Sequence, residues 1–149
     1  MADDVQITAA RWSDLDAIHA LEVDSFPSPW RREFFESELR GDGRFCLVAR
    51  RGGAVIGYLF AMWFVDEMHI NKIAVAEEQR RTGIAAALMR RCLEFARSNA
   101  VATLSLEVRQ SNAGAQAFYR TLEFAPKYVR PRYYPDGESA VVMVRRLAP

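Results

Sequence analysis

Apolar positions recur with two periods along this chain, and each switch of period marks an element. The segment VQITA predicts a short strand. In RWSDLDAIHALEVDSF, Leu15, Ile18 and Leu21 stand at helical spacing, with Ser13 placed as N-cap and Asp16 three residues on. A second helix is predicted from SPWRREFFESEL, where Ser28 caps, Pro29 takes the first helical position, and Gly41 and Gly43 end the run. Three strands follow as an antiparallel meander, Phe45–Arg50, Ala54–Phe64 and Glu67–Val75, the first pair joined at Gly52 and Gly53. RTGIAAALMRRCLEFARSN then puts Ile84, Leu88, Cys92 and Phe95 on one stripe of an amphipathic helix. The strand ATLSLEV comes next, so strand, helix and strand form a crossover with parallel pairing. A short helix, Ala113 to Leu122, carries Ala115, Phe118, Tyr119 and Leu122 on one side, and two strands, FAPKYVR and SAVVMVRRL, close the chain around PRYYPDGE. No repeat, low-complexity tract or linker interrupts this order, which predicts one α/β domain over residues 1–149.

One charge disturbs the pattern. Leu104, Leu106 and Val108 alternate with Ser105, Glu107 and Arg109, giving a strand with one polar face inside a sheet where both faces are usually covered. Glu107 therefore needs water, a partner such as Arg109 on the same face, or a chemical task.

Composition narrows the choices. Half of the 149 residues are hydrophobic, enough for a core without staples, and 20 basic against 19 acidic residues leave a formal net charge of +1. No global field recruits nucleic acid or a membrane surface, and any basic site is local. Cys46 and Cys92 fall in apolar patterns and read as reduced core thiols, while two distant histidines, His19 and His69, give no metal-ligand spacing. The acidic start MADDVQ is unlike a signal peptide and no apolar run is long enough to span a bilayer, so a cytoplasmic location is expected.

The stretch QRRTGIA lies where strand gives way to helix, a place where unpaired backbone N–H groups and the helix dipole favour an anion. Gly83 admits close approach to the backbone, and Arg80 and Arg81 add local positive charge. The ordinary alternatives are a glycine that only caps a helix and arginines that face solvent.

With Arg80, Gly83 and Ala85 at the pattern positions, this stretch resembles the acetyl-CoA pyrophosphate loop of the GNAT superfamily of N-acetyltransferases, Q/R-x-x-G-x-G/A. FPSPW, NKIAV, LEVRQSN, AFYRTLEF and RPRYYP, in that order, are similar to the RimI-type members, which acetylate the N-terminal alanine of a small-subunit ribosomal protein. The resemblance covers nearly the whole chain. It implies a GNAT fold, a single mixed central β-sheet of about seven strands flanked by about four helices. It further implies acetyl-CoA as acetyl donor, no metal, and a protein N-terminus as acceptor, with neither nucleic acid nor membrane as partner. A monomer is the simplest assembly, and the residues do not fix it.

Roles follow residue by residue. The resemblance makes Glu107 the proton acceptor, acting with a pKa raised by burial or through a bound water, and Tyr119 the acid that protonates the departing thiolate. Tyr119 reads equally as a packing residue. Glu123 stands where the family has glycine at a left-handed helix end, at a cost of about 1 kcal/mol or with another cap geometry. The donor site is expected to use Ile73, Ala74 and Val75 around the thioester carbonyl, Arg80, Arg81, Thr82, Gly83, Ile84 and Ala85 around the pyrophosphate, and Asn112, which also reads as an N-cap. On the acceptor side Trp30, Glu67, Arg132, Tyr133 and Tyr134 are candidates; Trp30 fits the core as well, and Glu67 fits a turn. The family often has Asp where Ser139 stands. An α-amine with a pKa near 8 costs only about 0.5 kcal/mol to neutralise at pH 7.5, against about 4 kcal/mol for lysine, so a weak base serves the first acceptor. Acetylation of lysine or of a small amine, and a non-catalytic CoA-binding module, are the competing readings.

Overall fold

In the computed structural model, which describes residues 5–147, seven strands form one sheet in the order β1-β2-β3-β4-β5-β7-β6. The acidic residues at the start, 1–4, lie outside the described part. The strands are β1 (Val5–Ala9), β2 (Arg44–Arg51), β3 (Ala54–Phe64), β4 (Glu67–Val75), β5 (Thr103–Arg109), β6 (Ala125–Arg130) and β7 (Ala140–Arg146). The helices are α1 (Leu15–Ser25), α2 (Arg32–Arg40), α3 (Ile84–Ser98) and α4 (Ala113–Thr121). Element order and the mixed sheet match the sequence expectation. Every adjacent pair is antiparallel except β4 and β5, the crossover predicted around α3.

Alternation along the strands separates two cores. Leu47, Leu59, Leu104, Leu106 and Val108 join Ile84, Leu88, Cys92 and Tyr119 on the face carrying α3 and α4. Val48, Tyr58, Phe60 and Ala74 meet Leu15, Ile18 and Phe35 on the face of α1 and α2. Phe95 completes the α3 stripe by stacking on Phe45, ring centres 4.2 Å apart. Both cysteines are free, and burial pushes each thiol up to about 12.

Two helix starts differ from expectation. Ser13 does not cap α1: a 3-10 turn, Trp12–Asp14, precedes the helix, and the Asp14 carboxylate accepts the Arg11 N–H at 2.8 Å while Arg11 C=O accepts the Asp14 N–H. A carboxylate held also by Arg50 outcompetes a neighbouring exposed hydroxyl. Ser28 and Pro29 precede α2, which begins at Arg32 without a side-chain cap, because Trp30 N–H is already drawn to Glu22 at 2.8 Å. At the end of α4 the left-handed turn survives without glycine. Glu123 has φ +67, and the bonds from Phe124 N–H to Tyr119 C=O and from Glu123 N–H to Arg120 C=O make a Schellman close.

Candidate active site

The sheet opens where β4 and β5 part. They pair in register only at Glu67–Thr103, Met68–Leu104 and His69–Ser105, yet β4 runs on to Val75 and β5 to Arg109. Beyond His69 the two strands therefore enclose a wedge, with Ile73, Ala74 and Val75 on one bank and Glu107 to Arg109 on the other. Parallel strands that diverge at their C-terminal ends leave facing backbone groups without a ladder partner, the kind of crevice where open α/β sheets bind ligands.

At the far end of β4 stands the anion cradle. Arg81 and Gly83 both hold positive φ, +67 and +85, just before α3, whose first turn receives no side-chain cap, so its leading N–H groups are available to an anion. A Cβ at Gly83 would meet nothing within 4 Å, so the approach to this backbone is open. Arg80 Nε donates to Val75 C=O at 3.2 Å and the Thr82 hydroxyl bonds to Gln79 C=O, while Arg80 and Arg81 both stand exposed beside the turn. Ile84 is buried and Ala85 half-buried, so these contribute backbone rather than side chain. Residues and conformation together fit the pyrophosphate of a CoA thioester. Asn112 caps α4 through Oδ1, which accepts the Ala115 N–H at 3.0 Å.

Glu107 turns away from the α3 core into a chain of side chains on the α1 and α2 face. His69 Nε2 lies 2.8 Å from its Oε1, and Arg130 Nε lies 3.4 Å from Oε2. His69 Nδ1 is 2.6 Å from Asn71 Oδ1, and Asn71 Nδ2 donates to Glu38 at 2.7 Å. Asn71 thus presents its oxygen to Nδ1 and fixes that nitrogen as a donor. Burial works to raise the Glu107 pKa, but the bonds and charges of His69 and Arg130 win and hold it below the usual glutamate value. The expectation of a raised pKa is corrected by two cations that sequence spacing did not show. For His69, burial opposes the charged form, yet the bonds to Glu107 and Asn71 outweigh it and raise the pKa.

Nor does Arg109 pair with Glu107. Its guanidinium meets Asp136 at 2.8 Å and Glu138 at 2.9 Å and lies 4.2 Å from the Tyr134 ring centre, which ties the loop between β6 and β7 to β5. Glu138 also accepts the Ser111 N–H, and Ser139 Oγ accepts the Arg132 N–H at 3.4 Å. Tyr133 packs edge-on against Tyr134, ring centres 5.0 Å apart, and the charge of Glu107 reaches both phenols. Tyr119, buried between Phe118 and Phe124, has its pKa raised by burial and by Tyr134.

Trp30 is half-buried, its ring 5.1 Å from that of Phe35, so it packs against the second core while part of it stays exposed. Glu67 opens β4 on the exposed turn opposite Phe64, and no contact joins it to the Glu107 cluster among the described residues. His69 and Lys72 escaped the sequence reading. The signal for His69 was present: with β4 and β5 parallel, period-two alternation sets it on the face of Glu107. Among the described residues no group of three or more His, Cys, Asp or Glu forms a metal cage, and no helix is long and apolar enough to cross a membrane.

The seven-stranded mixed sheet, its one parallel pair splayed beyond His69 and followed at β4 by a glycine turn into α3, is the arrangement of an acetyltransferase fold. The profile of the Acetyltransferase (GNAT) family matches residues 15–124, and the chain belongs to that family. It is 35% identical over 136 residues to the putative ribosomal protein bS18-alanine N-acetyltransferase of Bacillus subtilis, covering 89% of each chain. The Escherichia coli K12 ribosomal protein bS18-alanine N-acetyltransferase is 32% identical over 140 residues, 92% of this chain and 94% of that one. An N-alpha-acetyltransferase of Saccharolobus solfataricus is 33% identical over 157 residues, 97% and 94% of the two chains. The crystal structure of the E. coli ribosomal-protein-S18-alanine enzyme superposes with a TM-score of 0.91 over 97% of this chain and 95% of that one at 30% identity. Arabidopsis thaliana NAA60 in complex with acetyl-CoA shares the fold, with a TM-score of 0.87 at 19% identity over 96% and 98% of the chains.

Proposed function

We propose that this acetyltransferase moves the acetyl group of acetyl-CoA to a protein N-terminal α-amine, and that its acceptor is the N-terminal alanine of a small-subunit ribosomal protein in the cytoplasm. The observation that carries this reading is the Glu107–His69 pair on the open side of the β4–β5 wedge, between two loops that suit an extended chain. The bacterial relatives, named as alanine N-acetyltransferases, support the alanine acceptor, and the archaeal N-alpha-acetyltransferase supports the wider class of α-amines.

The surroundings of the pair assign the proton. Against burial, the bonds and charges of His69 and Arg130 hold the Glu107 carboxyl below the usual glutamate value, while the bonds to Glu107 and Asn71 raise His69, so the imidazole is the stronger base of the two. Glu107 therefore draws and orients the ammonium, and the proton settles on the Glu107–His69 pair at Nε2, directly or through a water. Asn71 keeps Nδ1 protonated throughout. Backbone N–H groups near Ile73 to Val75 receive the developing oxyanion. The Tyr119 phenol, kept protonated by burial, donates to the departing thiolate. Bound acetyl-CoA would supply the activated thioester; Arg80, Arg81, Thr82, Gly83 and the first N–H groups of α3 would hold its pyrophosphate, and Asn112 would contact the cofactor. Trp30, Arg132, Tyr133 and Tyr134 wall the peptide.

A panel of peptides beginning Ala, Ser or Met, or blocked and carrying an internal lysine, tests this with acetyl-CoA and mass spectrometry. The expected result is acetylation at the N-terminal amine, fastest for Ala. Labelling confined to internal lysine, or acetyl-CoA binding without transfer, overturns the reading.

A further inference from the structure

Glu22 is a charged residue with no solvent exposure, on the inner face of α1. Its carboxylate has three partners from three parts of the chain: Trp30 N–H at 2.8 Å, the Tyr58 hydroxyl on β3, and Lys72 Nζ on β4 at 3.0 Å. Lys72 is itself only 16% exposed, and its ammonium stands 3.9 Å from the Phe26 ring centre and 5.2 Å from that of Trp30. An ammonium enclosed by two aromatic faces and one carboxylate is a complete cation cage, filled by the protein's own side chain.

Stability alone does not account for it. Two charges withdrawn from water lose hydration that their attraction only partly returns, and apolar side chains of similar volume hold such a place as well or better. What the pair adds is position. Among the described residues, Trp30 N–H makes the only backbone hydrogen bond of residues 27–30. That segment leads from α1 to α2 and has no cap to hold its far end. Lys72 immediately precedes Ile73 on the bank of the wedge, and the charge of Arg109 on the opposite bank reaches it.

We propose that the Glu22–Lys72 pair is a positioning device: it pins the Phe26–Trp30 segment to β4 as one wall of the acceptor cleft and so sets affinity for the peptide, not for the acetyl donor. This rests on the reading above that the segment borders the acceptor. The opposite wall is pinned the same way, by Arg109 on the Tyr134 loop, so each peptide-facing loop is held by a cation rooted in the sheet.

The test is steady-state kinetics with an Ala-initiated peptide, alongside acetyl-CoA affinity and thermal melting. Lys72→Met is expected to raise the peptide KM about tenfold, with acetyl-CoA affinity within twofold and a lowered Tm, since Glu22 is left buried without its counter-ion. In Glu22→Gln/Lys72→Met, where no lone charge remains, Tm returns to within a few degrees of the wild type while the peptide KM stays raised. Lys72→Arg, which keeps a cation against the rings, holds the peptide KM within about threefold. A double variant with normal stability and a normal peptide KM overturns the proposal, as does a Lys72→Arg enzyme no better than Lys72→Met. Absence of any transfer to the peptide by the wild type is a different failure, that of the acceptor assignment.

Discussion

The two sides of the wedge are built from different materials. The side proposed for the donor offers backbone: two positive φ angles, an uncapped helix start and an open space over Gly83. The side proposed for the acceptor offers side chains in contact with one another, from Arg130 through Glu107, His69 and Asn71 to Glu38, and from Arg109 to Asp136, Glu138 and Tyr134. A backbone cradle depends on conformation and tolerates most side-chain changes, which suits a ligand that never varies. A side-chain network changes with each substitution, which lets related enzymes take different acceptors on one fold.

The sharpest way to test this division is to attack the network at its centre. Glu107→Gln should lower kcat about a hundredfold or more, while calorimetry finds acetyl-CoA binding within twofold of the wild type. Loss of donor binding in that variant would erase the separation. On the other side, Gly83→Asp should weaken acetyl-CoA binding about tenfold or more, since a left-handed non-glycine residue costs about 1–2 kcal/mol and a negative charge opposes the pyrophosphate. Gly83→Ala isolates the conformational part, because its Cβ meets no neighbour. Equal affinity in all three proteins would move the phosphate elsewhere.

A smaller effect separates His69 from Glu107. The pair must have a neutral imidazole to take the proton, and the raised His69 pKa places that ionisation above 6.5, so kcat/KM should climb with pH through that elevated value. His69→Gln should remove this limb and leave the dependence on the acceptor amine alone. The stability sign runs the other way: charged His69 stabilises the fold fully below about pH 6.5 and loses that contribution as pH rises through its folded value. His69→Gln should therefore flatten the decline of Tm over that range. Smallest of all, Asn112→Ala should cost about 1 kcal/mol of stability by losing the cap to Ala115. A weaker acetyl-CoA affinity in the same variant would show that Asn112 serves both sides.

Much of this fold was legible because local signals agree with the final packing. The alternation of Leu104, Leu106 and Val108 is the observed burial of β5, and the stripe of Ile84, Leu88 and Cys92 is the buried side of α3. Gly83 marks the start of α3, where the structure places it as N-cap. The failures have one cause. Ser13, Ser28 and Arg109 were paired by nearness in sequence, and in each case a stronger partner arrived from elsewhere: Arg50 for Asp14, Glu22 for Trp30, Asp136 and Glu138 for Arg109. His69 was weighed only as a metal ligand, since its partner lies 38 residues away.

The sequence by itself determined the order of elements, the crossover, the glycine turn and the polar face that holds Glu107, because each depends on periodicity or on the conformational limits of single residues. Tertiary structure alone decided what Glu107 is. A carboxylate in a buried strand can be raised or lowered in pKa, and the sign depends on which charges other strands bring within about 4 Å. His69 from β4 and Arg130 from β6 bring two, and they turn an isolated glutamate into the centre of a bonded ionic cluster.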